Sequence, residues 1–134
     1  MIEETIKELA QGPNFATIST FLPSGRIQTN VMWVDADDDH ILINTEIHRQ
    51  KFKNVTADPR ATVVVWDHEN PYRFAEVRGK VVDKVTGPEA RAHIDKLSRK
   101  YGGRDYDENA IQTERVILRI APDRQIDRQV GGRR

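Results

Sequence analysis

Three β-forming runs in the first third of the chain, joined by turns too short to carry a crossover, most constrain what it can fold into. Residues 15–22 (FATISTFL) set Phe15, Thr17, Ser19 and Phe21 on one face and Ala16, Ile18, Thr20 and Leu22 on the other, the two-residue period of a strand. Pro23-Ser24-Gly25 is turn chemistry, with proline pre-set for the first central position. Residues 27–34 (IQTNVMWV) return, with Ile27, Thr29, Val31 and Trp33 opposite Gln28, Asn30, Met32 and Val34. Residues 35–39 (DADDD) read as a second turn and residues 41–45 (ILINT) as a third strand. A parallel pair needs a connection of about a dozen residues or more, so these runs pair as an antiparallel meander.

The rest of the chain adds strands faster than helices. Residues 2–11 carry Ile2, Ile6, Leu9 and Ala10 at helical spacing and stop at Gly12-Pro13. A short helix is expected over residues 48–57, ending before Asp58-Pro59 because a residue preceding proline disfavours helix. Residues 61–67 (ATVVVWD) are nearly continuous in apolar residues and read as a buried central strand. Residues 72–85 form a long strand with a bulge or sharp coil expected at Gly79. Pro88 opens a helix whose stripe of Ala90, Ile94, Leu97 and Tyr101 ends at Gly102-Gly103. Residues 116–120 (VILRI) make the last strand. The order α-β-β-β-α-β-β-α-β, with few helices and no G-x-G-x-x-G, indicates a mainly β (α+β) fold: a closed or nearly closed antiparallel barrel plugged by helices, not a doubly wound parallel sheet. One domain is expected over residues 1–122, followed by a polar tail over 123–134 whose Arg124, Arg128, Arg133 and Arg134 read as solvated and whose Gly131-Gly132-Arg133-Arg134 end reads as disordered.

Composition removes several classes of function. Among 134 residues, 21 Lys+Arg balance 21 Asp+Glu, which argues against nucleic acid as a main partner. There is no cysteine, hence no disulfide framework, thiolate metal site or cysteine nucleophile. No apolar run approaches the ~18 residues of a membrane span. Met1-Ile2-Glu3-Glu4 lacks the build of a signal peptide, so the expected location is the cytoplasm, away from membranes. Hydrophobic residues are 37% of the chain, low enough to suggest a large exposed surface or a core completed by a partner.

Metal and hydrolytic chemistry find no support. His40, His48, His68 and His93 do not pair at ligand spacing, so no metal centre is assigned. Ser19, Ser24 and Ser98 lack a nucleophile elbow, and the acids at 37–39 read as a solvated hairpin turn. The informative stretch is residues 44–54 (NTEIHRQKFKN), where a strand ends at Asn44-Thr45 and a basic helix begins. Strand-end hydroxyl and amide groups beside the free N–H groups of a helix start make an anion cradle. Arg49 adds a fork of donors that matches a phosphate, and Lys51 adds a point charge. The same run also fits a solvated basic helix face, and pattern alone leaves both readings open. Gln28 and Asn30 share one strand face in a run suited to burial. Amides there need partners, either backbone or the polar edge of a flat heterocycle.

With these residues in view, the runs FATISTFLPSGRIQTNVMWV, ILINT, HRQKFKNVTADPRATVVVW and AEVRGKVV resemble the pyridoxamine 5′-phosphate oxidase-like split β-barrel family, in its deazaflavin (coenzyme F420)-dependent branch. The resemblance covers about residues 4–120, and its most specific part is Arg49, Lys51, Asn54, Val55, Asp58, Pro59, Arg60. It implies an FMN-binding-type split barrel with Greek-key pairing, in which Arg49 and Lys51 hold the cofactor phosphate and Asn54 either contacts the cofactor or braces the helix. It further places Gln28, Thr29 and Asn30 beside the ring and Asn44 and Thr45 at the ring and ribityl chain. It implies a homodimer with cofactor sites at the subunit interface. Trp33 and Trp66 are read as core or interface aromatics, with Trp66 and Phe74 completing the core across that interface. The implied activity is hydride transfer from reduced F420 to a conjugated small molecule such as a quinone, enone or tetrapyrrole. No side chain is assigned as proton donor. The alternatives are an FMN-dependent oxidase or flavin reductase of the same fold and a non-catalytic protein that binds a cofactor or pigment.

Overall fold

The computed structural model describes residues 1–129. The chain runs α1 (Glu4–Gln11), β1 (Phe15–Phe21), β2 (Ile27–Trp33), β3 (Asp35–Ala36), β4 (Ile41–Glu46), α2 (Gln50–Ala57), β5 (Arg60–Trp66), β6 (Arg73–Val85), α3 (Pro88–Gly102), a 3-10 turn (Glu108–Ala110) and β7 (Arg115–Gln129). The strands form one antiparallel sheet in the order β2-β1-β5-β6-β7-β4-β3.

That order closes the sheet on itself. β2 and β3 stand at opposite ends of it, yet only Val34 separates them in the chain. One intervening residue spans roughly 7 Å at most, so the two edges have to meet. Cα atoms of β2 and β4 come within 8 Å across this seam without pairing as a ladder. The result is a curled antiparallel barrel, split at the seam between β2 and β4.

The inward positions make a single apolar core. Ala16 and Ile18 of β1, Ile41 and Ile43 of β4, Val63 and Val65 of β5, Ala75 and Val77 of β6, and Val116, Leu118 and Ile120 of β7 pack together with Val55 of α2. Burying each of the larger side chains contributes about 1.5–3 kcal/mol. α1 adds Ile6, Leu9 and Ala10 to this core. α3 lies against the opposite side of β4 and β7, with Ala90 on Leu42 and Ile117.

The Gly79 irregularity expected from the sequence is present. The β6–β7 register jumps from Arg78↔Arg124 to Gly79↔Pro122, leaving Asp123 unpaired in a bulge. A Cβ on Gly79 would sit 2.0 Å from the Ala121 carbonyl oxygen, so no other residue fits there without displacing β7.

Three expectations are corrected. The first three runs do not form one meander: β1 and β2 pair as a hairpin, but β4 pairs with β3 and β7 and meets β2 only across the seam. Asp35-Ala36, read as the start of a turn, forms β3 against Ile41 and Leu42. The turn proper begins at Asp37, whose carboxylate accepts the N–H groups of Asp39 at 2.8 Å and His40 at 2.7 Å. The last strand does not stop at Ile120. β7 continues along β6 to Gln129, so the polar tail expected from residue 123 is strand throughout its described part. The Arg133-Arg134 end lies outside the described residues.

Candidate functional site

The β4–α2 junction collects three positive side chains around a single carboxylate, Glu46. Glu46 ends β4, and the Arg49 N–H donates to its carbonyl at 3.0 Å, turning the chain into α2. Arg49 is the N-cap of α2, and no side chain caps that end. The first N–H groups of the helix therefore keep their donor capacity, at the end where the helix dipole favours an anion.

Lys51 sits in this first turn. The residue is only 6% exposed; its ammonium nitrogen keeps contact with solvent and makes no hydrogen bond or ion pair among the described residues. Burial pushes its ammonium below the ordinary lysine range, and the neighbouring charges of Arg49 and Arg115 push it the same way. A nearly buried lysine beside two arginines costs stability unless an anion joins it.

Arg115, at the start of β7, is a member of this cluster that the sequence reading did not single out. It lies opposite Glu46 in the ladder. Its Nε donates to Asn44 Oδ1 at 2.9 Å and its Nη1 to Glu46 Oε2 at 3.3 Å. The Tyr106 ring lies 5.2 Å from the guanidinium carbon. Glu46 does not neutralise the three cations: it also accepts the N–H groups of Gln112 and Thr113 at 2.8 and 2.7 Å. Burial pushes its carboxyl up, but those donors and Arg115 outweigh burial and hold it low. The signal in the sequence was slight, a lone arginine ahead of VILRI.

The other predicted site residues fall into distinct roles. Asn44 is buried and fully engaged, donating to the Ala90 carbonyl at 3.1 Å and facing His93 Nδ1 at 3.0 Å while its oxygen accepts from Arg115. Thr45 is buried beside it on β4. Asn54 donates to Thr20 Oγ1 at 3.0 Å and Gln28 Oε1 at 3.1 Å and accepts from Gln50 Nε2 at 2.8 Å. It therefore ties α2 to β1 and β2 and fixes the orientation of Gln28. The Gln28 amide nitrogen stays without a side-chain partner among the described residues, as does the Asn30 side chain on the same face of β2. Thr29 points to the opposite face, where its hydroxyl meets Ser19 at 2.9 Å. The structure thus brings Arg49, Lys51 and Asn44 together around Arg115, ties Gln28 to Asn54 where α2 meets β2, and turns Thr29 away.

No group of His, Asp or Glu among the described residues is arranged to hold a metal ion, and no helix is long and apolar enough to cross a membrane.

Comparison with known proteins agrees with this architecture. Residues 2–127 match the pyridoxamine 5′-phosphate oxidase family. Among solved structures, the chain is similar to an F420 reductase at 33% identity and a TM-score of 0.81, with 93% of this chain and 98% of that one covered. It is also similar to a conserved hypothetical protein from Mycobacterium tuberculosis, at 25% identity and a TM-score of 0.73, covering 96% and 85% of the two chains. General Stress Protein 26 from Bacillus anthracis shares the fold at 17% identity and a TM-score of 0.66, with 93% and 92% covered. No curated protein sequence matches the chain.

Proposed function

The chain belongs to the pyridoxamine 5′-phosphate oxidase family, and we propose that it is an oxidoreductase of the flavin or deazaflavin type that uses coenzyme F420 to reduce a conjugated small molecule. The observation that carries this reading is Lys51: between Arg49 and Arg115, its side chain is largely desolvated and its ammonium, open to solvent, has no partner among the described residues. A ribityl phosphate fits that excess of charge: it supplies the acceptors that Lys51, the free Nη2 of Arg115 and the first α2 N–H groups lack among the described residues. The similarity to an F420 reductase over nearly the whole chain favours the deazaflavin over FMN, which carries the same phosphate and is the alternative.

Arg49 and Lys51, with Arg115, would hold the phosphate. Gln28 and Asn30 present amide groups on one face of β2 that suit the polar edge of the ring. When bound, the cofactor supplies hydride chemistry. The protein's own part is to fix the phosphate, to hold Gln28 in place through Asn54, and to leave one side of the site open to an electron-poor acceptor such as a quinone, enone or tetrapyrrole. The cytoplasm, where such a cofactor is supplied, is the proposed location.

We also propose that the protein works as a homodimer. On the sheet face turned away from the barrel, Trp33, Phe15, Trp66 and Phe74 stand in one cross-strand row, and Ile27 and Val31 on the same side are 63% and 66% exposed. Tyr101, Tyr106 and His68 of the chain itself pack on Trp33 and Phe15, so a second copy would cover the remaining part of that face, Trp66 and Phe74 with Ile27 and Val31. Sedimentation of the purified protein at micromolar concentration is expected to give the dimer mass, and a monomer would remove this part of the proposal.

Fluorescence titration with F420 and with FMN tests the cofactor assignment. Micromolar or tighter binding of F420, with weaker binding of FMN, is the expected result. The reverse preference would move the protein to the FMN branch, and binding of neither would end both readings. Turnover of a quinone, an enone or biliverdin by the reduced cofactor separates an enzyme from a carrier.

A further inference from the structure

Beneath α3, a chain of buried polar contacts connects β3 to the cation cluster. Asp35, Asn44 and His93 are 3%, 3% and 9% exposed, and they come from three different elements. The contacts fix every donor and acceptor along it. Asn44 Nδ2 faces the Ala90 carbonyl at 3.1 Å, an atom that only accepts, and Asn44 Oδ1 faces the Arg115 Nε at 2.9 Å, an atom that only donates. Both ends demand the same amide orientation. The second amide hydrogen then points at His93 Nδ1, 3.0 Å away, so that nitrogen is the bare acceptor. The ring proton sits on Nε2 and is donated to Asp35 Oδ2 at 3.0 Å. Asp35 is itself anchored by the Ala36 N–H at 2.9 Å and by Lys96 Nζ at 3.1 Å.

We infer that His93 is a positioning residue for the phosphate site: held by Asp35, it joins the Ala90 carbonyl in holding the Asn44 amide plane with its oxygen toward Arg115 and so aims the guanidinium at the anion. Without His93 the second amide hydrogen loses its acceptor and the NH2 end is held by the Ala90 carbonyl alone, so the amide plane can tilt and carry its oxygen off the line to Arg115 Nε. Arg115 spends Nε on Asn44 and part of Nη1 on Glu46, which leaves Nη2 without a partner among the described residues to meet an anion. The inference rests on the proposed phosphate site and adds to it a residue on α3 that touches neither the anion nor the cations.

The test measures affinity for F420 and for its phosphate-free ring-and-ribityl core, using the full chain. Wild type is expected to prefer F420. Equal binding of the two would overturn the phosphate site and this inference with it. His93→Leu should lose about tenfold in F420 affinity, the scale of one charge-assisted hydrogen bond, with affinity for the core unchanged. His93→Gln, which can accept from Asn44 and donate to Asp35, should recover most of the loss. In an Arg115→Gln background, His93→Leu should change nothing further. The inference is overturned, with the phosphate site left standing, if wild type prefers F420 and His93→Leu keeps that full preference. It is overturned too if His93→Leu weakens both ligands alike, or if its effect adds undiminished to that of Arg115→Gln.

Discussion

The network under α3 and the start of α2 handle charge in opposite ways. Under α3, Asp35 is matched by His93, Lys96 and a backbone N–H, and Asn44 has a partner for each of its polar atoms. At the start of α2, a few residues along the chain, the Lys51 side chain is largely buried, while its ammonium meets only solvent and has no partner among the described residues. Paired burial fixes a structure, because each group would be costly to leave alone. Unpaired burial costs stability in the free protein and marks the place where something else completes the set. The contrast separates residues that build the barrel from residues that serve its ligand.

The sharpest way to break that contrast is to remove the unpaired side. Arg49→Ala with Lys51→Ala should weaken F420 binding by a few kcal/mol, the scale of lost charge-assisted hydrogen bonds, while fluorescence and circular dichroism report a folded chain. A folded double mutant with unchanged affinity would return the basic run to a solvated helix face.

The paired side should respond the other way. Asp35→Leu leaves Lys96 and the His93 ring without their acceptor, and chemical denaturation is expected to show a loss of about 3 kcal/mol. Affinity for the phosphate-free core should change far less than stability does.

Acid reaches the same pair more gently. Burial pushes the Asp35 carboxyl up, but the hydrogen bond from His93, the Ala36 N–H and the Lys96 ammonium outweigh it and bring it down to about 2 from 3.8. The folded state therefore holds the proton less tightly than the unfolded chain. The stabilisation is complete above pH 4 and is lost as pH falls from there toward 2, about 2 kcal/mol in all. Asp35→Asn should flatten that part of the stability profile. Lys51 has the opposite sign of effect: its pKa is lowered from 10.5, so its charged form penalises the fold at neutral pH and the penalty fades as pH rises toward 10.5.

The smallest effect should come from an exposed pair. Arg60 holds Asp58 through Nε at 3.0 Å and Nη2 at 2.6 Å on the surface, where solvent screens the charges. Arg60→Ala is expected to leave the denaturation midpoint within error, and a clear shift would mean that surface pairs matter here as much as buried ones.

Most of the barrel is legible in the sequence because its signals are local. Alternation in FATISTF, the apolar run ATVVVW, the Gly12-Pro13 stop, Pro88 and Gly103 at the ends of α3, and Gly79 in the bulge are each decided by neighbours in the chain. β3 was hidden because Asp35 reads as turn chemistry until His93 and Lys96, nearly sixty residues later, give its carboxylate a buried partner. The far half of β7 was hidden because Asp123, Arg124, Asp127 and Arg128 are exposed and polar, while its pairing is supplied by β6. The site divides along the same line. Arg49 and Lys51 stand in one short basic run, whereas Arg115 and His93 join them only through the fold, and nothing in their own surroundings in the sequence assigns them a task.

The central claim is that Lys51 is carried by the fold for the sake of an anion. Lys51→Met, studied for both stability and F420 affinity, tests it most directly. Methionine keeps the length of the side chain and removes the charge, so the variant is expected to melt at or above the wild-type temperature without ligand. It should bind F420 at least about tenfold more weakly, the loss of one charged contact to a phosphate, with affinity for the phosphate-free core retained. A variant that melts well below wild type yet keeps its preference for F420 would contradict the account, since Lys51 would then be supporting the barrel and not its ligand.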